Sequence, residues 1–207
     1  MNKHILELNG LSEDILGVLS YESKLGLSLK KNLHYFDRHL LLQELIDMTE
    51  WFDGNTILSD LPVDYRIKSL DSFILKYDRY FPNHQTKKVF NDILSFRAIC
   101  NSYDDVSAFR SEQFRVADMY KGKSKDDGYR GVHVYYQKSN RHYPIEIQFN
   151  TRFDRQLNDW LHEYLYKKSL PDSVGKEMRF RYESGRIRNK KEFEEALNEV
   201  LSCCERP

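Results

Sequence analysis

Pro144-Ile145-Glu146-Ile147-Gln148-Phe149 is the stretch on which the reading of the fold turns. Apolar and polar residues alternate along it, the period of a strand with one face in a core. Ile145, Ile147 and Phe149 then point one way, and Glu146 and Gln148 the other. A carboxylate in mid-strand is costly to bury unless something pairs with it. Two readings follow: an ordinary solvent-exposed sheet face, or a cleft lined by Glu146. Taken by itself, the segment fits the exposed face better.

Working outward, Leu94 to Cys100 and Gly131 to Gln137 have the same β-branched and aromatic texture. Helices are expected between and after these runs, near Asp104 to Arg110 and from about Phe153 to Lys168. Towards the N-terminus, Ser12-Glu13-Asp14 caps a short helix carrying Ile15, Leu16, Val18 and Leu19. A second helical segment, near Leu27 to Phe52, carries Leu33, Phe36, Leu40, Leu41, Leu45 and Met48 at three- and four-residue intervals. Asp53-Gly54-Asn55 ends it, and Lys190 to Leu201 reads as a charged amphipathic helix. The mixture predicts an α/β (α+β) fold, a mixed β-sheet flanked by N- and C-terminal helices.

The balance of 32 basic against 32 acidic residues argues against a protein that coats DNA. Basic clusters at Lys30-Lys31, at Lys121, Lys123 and Lys125, and from Arg179 through Lys191 leave room for a local phosphate-binding groove. Each cluster alone is equally a solvated helix face. No apolar run approaches the roughly 20 residues that span a bilayer, so no membrane role is expected. The cysteines Cys100, Cys203 and Cys204 form neither a zinc spacing nor a disulfide framework, which fits a reducing, cytoplasmic location.

Four short segments carry groups suited to chemistry. Arg66-Ile67-Lys68 is followed by Ser72 and Lys76, one helical turn apart near a helix start. Cations and a hydroxyl there make a phosphate site, or an ordinary lysine-bearing surface. Asp92 precedes the run ending in Arg97, where a carboxylate holds a metal at a sheet edge or simply makes a turn. In Gly128-Tyr129-Arg130-Gly131-Val132-His133, glycines allow close backbone approach to a ligand. An extended chain would put Tyr129, Gly131 and His133 on one face, suited to base stacking. Glu146 and Gln148 complete the set. Gly122-Lys123-Ser124 is no P-loop, because Ala117 stands where the upstream glycine belongs.

In this order the segments resemble the synthetase domain of the RelA/SpoT family, the alarmone synthetases. The Arg-x-Lys-x-x-x-Ser-x-x-x-Lys run is matched by Arg66, Lys68, Ser72 and Lys76, and the Asp-to-Arg strand by Asp92 through Arg97. Gly128, Tyr129 and His133 match the Gly-Tyr-x-x-x-His segment. Glu146-Ile147-Gln148 with His162 matches the last motif. The resemblance covers about residues 60 to 168 and implies a nucleotidyltransferase-like sheet. It divides the chain into an N-terminal helical segment (1–55), a pyrophosphokinase core (56–170) and a charged helical tail (171–207).

The reaction implied moves the β,γ-pyrophosphate of ATP to a 3′-hydroxyl and releases AMP. Asp92 and Glu146 would hold Mg²⁺, with substrate phosphates and waters completing its octahedron, and Glu146 would accept the hydroxyl proton. Lys68, Ser72 and Lys76 would grip the ATP phosphates. Arg66 and Arg97 would sandwich adenine, and Tyr129 would stack on the acceptor base. His133, Gln148, Asn150, Arg155 and His162 complete the implied acceptor side. The chain's length leaves no room for the hydrolase and regulatory domains of the long members, so a small synthetase is expected. Its short, charged tail favours a monomer.

The acceptor side departs from the family. Asn150 stands where an arginine is usual, and Arg155 where small alarmone synthetases tend to carry an asparagine that recognises guanine. That asymmetry points to the toxic subgroup, the toxin half of toxin–antitoxin pairs, several of which pyrophosphorylate the 3′-terminal adenosine of tRNA and inhibit translation. The expected acceptor is the tRNA 3′-CCA end, held by Lys30, Lys31, Arg115, Lys121, Lys123 and Lys125. GDP, GTP or adenine nucleotides are the alternative acceptors, and a non-catalytic nucleotide- or RNA-binding module is the alternative of another class. A toxin implies an antitoxin protein as partner.

Overall fold

The computed structural model describes residues 4–109, 111–122, 125–168 and 170–204, the side chains of 203 and 204 excepted. The chain begins with helices α1 (His4–Glu7), α2 (Glu13–Val18), α3 (Arg38–Asp53) and α4 (Thr56–Asp60). Strand β1 (Asp64–Ile67), helices α5 (Leu70–Tyr80) and α6 (Thr86–Val89) and strand β2 (Leu94–Ile99) follow. Helix α7 (Tyr103–Ser107) leads into strands β3 (Phe114–Asp118), β4 (Val132–Tyr136) and β5 (Ile145–Asn150). Helices α8 (Arg152–Tyr164), α9 (Asp172–Glu183) and α10 (Lys190–Cys204) complete the described chain.

The described strands form one five-stranded sheet in the order β1-β2-β5-β4-β3. β1 and β2 are antiparallel, with Arg66 opposite Ser95 and Asp64 opposite Arg97. β3 and β4 are also antiparallel, with bonds from Met119 N to Gly131 O and from Gln137 N to Gln113 O. Cys100 N donates to Asn150 O just past the ends of β2 and β5, so this central pair is parallel and the sheet is mixed. The α/β expectation therefore holds.

By its contacts the chain divides into two compact units. The first comprises Met1–Ala98, Asp104–Ala117 and His133–Phe149, and the second Ile99–Tyr103, Asp118–Val132 and Asn150–Pro207. In the first, α3 packs on α5 and β1, and Leu41, Leu45, Met48, Phe73 and Phe96 are buried. In the second, α8, α9 and α10 bury Leu157, Leu161, Met178, Phe193 and Leu197 together. No helix among the described residues is long and apolar enough to cross a membrane.

Local signals in the sequence map closely onto several elements. Ser12 caps α2 by accepting from Ile15 N at 3.1 Å, and Thr151 caps α8 by accepting from Asp154 N at 3.1 Å. The helix expected from Leu27 starts eleven residues later, at Arg38, with Asp37 as its cap. Apart from a 3₁₀ turn at Leu33–Tyr35, the intervening stretch bonds to distant partners: Leu29 N donates to Asn140 O and Leu33 N to His84 O. Groups bonded to distant partners cannot close helical turns, yet Leu29, Leu33 and Phe36 are buried all the same. Spacing of apolar residues thus mimicked a helix. The helix expected to Lys168 is α8 followed by a 3₁₀ turn at Tyr166–Lys168. The one expected over 104–110 is α7, and residue 110 lies outside the described residues.

Candidate active site

In the first unit the donor-side residues converge. Asp92 lies two residues before β2, and Lys68 two after the antiparallel partner strand's Arg66; Lys68 N donates to Ile93 O at 2.9 Å. That crossing brings Lys68 Nζ to 2.5 Å from Asp92 Oδ2, and Lys76 on α5 brings Nζ to 2.7 Å from Asp92 Oδ1. Lys76 also donates to Val89 O at 3.2 Å. Both ammoniums keep some solvent exposure, 17% for Lys68 and 24% for Lys76, so they can exchange partners without leaving a sealed core. Ser69 holds the N-cap position of α5 without a side-chain capping bond, and Ser72 Oγ lies 3.0 Å from Ser69 Oγ.

The exposed-face reading of the β5 stretch is overturned at Glu146, which is only 4% exposed. Its carboxylate lies 2.9 Å from His133 Nδ1 and accepts from Ser95 Oγ at 2.8 Å and Gln148 Nε2 at 2.7 Å. Burial alone would raise its pKa, but the bonds from His133, Ser95 and Gln148 outweigh that and hold it at about 2. Next to it, burial and then the Glu146 charge push the Tyr135 hydroxyl far above its usual value. Arg115 stacks over the Tyr135 ring at 4.1 Å. Ser95 Oγ also reaches Asp92 O at 3.4 Å, so one hydroxyl links the Asp92 turn to the Glu146 carboxylate.

Arg66 and Arg97 are both exposed. Because Arg66 faces Ser95 across the ladder, Arg97 two residues on is its diagonal neighbour on the same face. Gln148 sits on that face of β5 beside Glu146.

The remaining acceptor-side residues belong to the second unit. Tyr129 is half-buried in the loop before β4, with its N donating to Asp127 Oδ1 at 3.1 Å. It precedes the strand, so the face expected for Tyr129, Gly131 and His133 does not form: β4 begins at Val132. Asn150 is buried at the end of β5; its Nδ2 donates to Arg130 O at 2.8 Å, and its Oδ1 has no protein partner. Arg155 and His162 stand two turns apart on α8, half-buried and exposed respectively.

Of the expected RNA-facing cations, Lys30, Lys31 and Arg115 lie in the first unit and Lys121 and Lys125 in the second, while Lys123 falls outside the described residues. A polar depression of about 650 Å³ in the first unit is lined by Lys30, Lys87 and Lys138 together with Glu112. Lys87 is half-buried, and burial first, then Lys30, Arg115 and Lys88, lower its pKa.

Among the described residues no three His, Cys, Asp or Glu side chains form a group that would hold a metal by themselves. Asp92 and Glu146 offer two carboxylates, the protein share that Mg²⁺ takes when phosphates and waters supply the rest. The chemistry of this donor pair fits Mg²⁺ with nucleotide phosphates among its ligands.

The site sets lysines against the Asp92 carboxylate, and Ser95 joins the Asp92 backbone carbonyl to the Glu146 carboxylate. The family described as "Region found in RelA / SpoT proteins" matches residues 65–170, just over half of the chain. This chain belongs to that family and is a RelA/SpoT-type pyrophosphokinase. Similar solved structures include small alarmone synthetase 1 from Bacillus subtilis, 26% identical over 80% of this chain and 97% of that one, TM-score 0.43. The same protein bound to its product pppGpp is 23% identical over 79% of this chain and 94% of that one, TM-score 0.44. Small alarmone synthetase 2 from Bacillus subtilis is 18% identical over 82% of this chain and 99% of that one, TM-score 0.44. Among curated proteins no relative matches.

Sequence reasoning missed Ser95 and Tyr135, although each stands two residues from a named strand residue on the same face. It also left the basic run from Arg179 as either a phosphate groove or a solvated helix face, whereas Arg179 is 1% exposed. Nothing in the sequence distinguishes a buried arginine from a surface one.

Proposed function

We propose that this chain transfers the β,γ-pyrophosphate of ATP to the 3′-hydroxyl at the tRNA 3′-CCA end, inhibits translation, and is the toxin of a toxin–antitoxin pair. The acceptor oxygen attacks the β-phosphorus, the bond to the α-phosphate oxygen breaks, and AMP leaves. Arg66 and Arg97 are diagonal strand neighbours, roughly 7–8 Å apart by sheet geometry, which suits a flat base held between two guanidiniums. Lys68, Lys76 and Ser72 bind the triphosphate, the lysines turning from Asp92 to phosphate oxygens.

Asp92 and Glu146 would hold Mg²⁺, which when bound offsets charge on the transferred phosphates. Glu146 is ionised at neutral pH and accepts a hydrogen bond from the attacking hydroxyl. With so low a proton affinity it mainly orients the oxygen, and the proton released on attack passes on to water. Tyr129 stacks on the terminal base, with Arg155 and His162 alongside the acceptor.

The observation that carries the tRNA reading is the concave basic surface of Lys30, Lys87 and Lys138, with Arg115 adding to the charge that stresses Lys87. A half-buried Lys87 among exposed cations is relieved by an oxyanion, and a polyanionic acceptor strand supplies several. The departures at Asn150 and Arg155 support an acceptor other than a free guanine nucleotide. The test offers radiolabelled ATP with deacylated tRNA, GDP, GTP and adenine nucleotides side by side. Label on tRNA is the expected result; label on GDP or GTP with tRNA left unmarked would make the chain an alarmone synthetase instead.

A further inference from the structure

Helix α9 lies beyond the 65–170 span of the family match, yet its backbone touches the Tyr129 loop. A Cβ at Gly175 would stand 2.0 Å from Asp127 O, and one at Gly128, whose φ is +86°, 2.2 Å from Gly175 O. Nothing larger than hydrogen fits at either position. One turn along α9, Arg179 donates through Nε to Gly128 O at 2.7 Å, through Nη1 to Asp154 Oδ1 at 2.5 Å, and through Nη2 to Asn158 Oδ1 at 3.1 Å.

The partners are themselves fixed. Asp154 Oδ2 accepts from Tyr103 OH at 2.7 Å and Thr151 Oγ1 at 3.0 Å. Asn158 Nδ2 donates to Arg130 O at 2.7 Å, and Arg130 N to Asn158 Oδ1 at 3.3 Å. Asn150 shares the Arg130 carbonyl, and Tyr166 OH donates to Asp127 O at 3.1 Å. Peptide groups on both sides of Tyr129 are therefore tied to α8 and α9.

A buried ion pair is a poor way to gain stability, since replacing both partners by apolar side chains of similar volume often does as well. What the planar fork adds is direction: three acceptors fixed in one plane. We propose that Arg179 is a positioning residue for the acceptor, setting the Gly128–Arg130 backbone and hence the angle at which the Tyr129 ring meets the acceptor base. This rests on the reading of Tyr129 as the acceptor-stacking residue.

The experiment uses the full chain with Arg179→Lys, Tyr129→Ala and the double variant, measuring KM for ATP and for the acceptor that takes label. Arg179→Lys is expected to raise acceptor KM about tenfold with ATP KM within about twofold, a positional loss and not a chemical one. Since both variants act through one ring, the double should be no worse than Tyr129→Ala alone. Equal rises in both KM values, or additive effects in the double variant, overturn the proposal. Tyr129→Ala with unchanged acceptor KM overturns instead the reading of Tyr129 on which it rests. Should Arg179→Lys not fold, Tyr166→Phe removes only the hydroxyl on Asp127 O and is expected to raise acceptor KM about threefold, again without additivity; no rise would count against positioning by this network.

Discussion

Two aspartates of this molecule are each held by cations, and they are held in opposite ways. Asp92, in the first unit, is shared by two lysines that retain solvent contact. Asp154, in the second, is gripped by an arginine whose side chain is 2% exposed. Ammoniums on flexible stems next to water exchange one anion for another at little cost, which would suit the proposed hand-over to a triphosphate. A guanidinium sealed among three acceptors has nowhere to turn, which suits residues that must keep a loop still. On the proposed reading, the same ionic chemistry would serve handling in one place and holding in the other.

The contrast can be broken most forcefully from the handling side. Asp92→Asn or Glu146→Gln is expected to slow AMP release by about 10² to 10³-fold, in the range for losing a charged group at a transition state, with the folded state intact by circular dichroism. An undiminished rate in both variants would remove these carboxylates from the active site.

A second comparison sharpens the difference on stability. Arg179→Met strands Asp154 in the interior and should cost about 3–5 kcal/mol, the usual penalty for breaking a buried pair. Lys68→Met leaves Asp92 with Lys76 and some water, and should cost no more than about 1 kcal/mol. Urea unfolding of the two variants decides it, and equal losses would erase the distinction between the two aspartates.

The smallest effect is in pH. The Arg130 hydrogen bond holds Asp126 below its ordinary pKa, outweighing burial. A carboxylate with a depressed folded pKa contributes stability in full above its unfolded value of 3.8, and loses it as pH falls through the folded value. Wild type should therefore lose slightly more thermal stability than Asp126→Asn between pH 5 and about pH 3. Parallel curves for the two proteins would show that the Arg130 pair carries no pH-linked stability.

Much of the handling region was legible because its chemistry sits on short, regular elements. Arg66 falls on a strand, Ser72 and Lys76 on the following helix and Lys68 on the short link between them, and period-2 alternation put Glu146 beside Gln148. What alternation could not show was that Glu146 is enclosed, since enclosure depends on Ser95 and His133 from other strands. The holding region was far less legible. Arg179 reads as one cation in a run of them, and its partners at Gly128, Asp154 and Asn158 are distant in sequence. The false helix start at Leu27 has the same origin, for partners at Asn140 and His84 claimed the backbone that local spacing assigned to a helix.

The meeting of Gly128 with Gly175 bears on how this sequence can drift. Each glycine is required by the carbonyl that approaches it, so a substitution at one cannot be absorbed by adjustment of its own neighbours. A saturation library read out for acceptor use should find both positions closed even to alanine, while the exposed charges of α9 tolerate exchange. A helix assigned from sequence to a charged tail would then prove among the parts of the chain least free to vary.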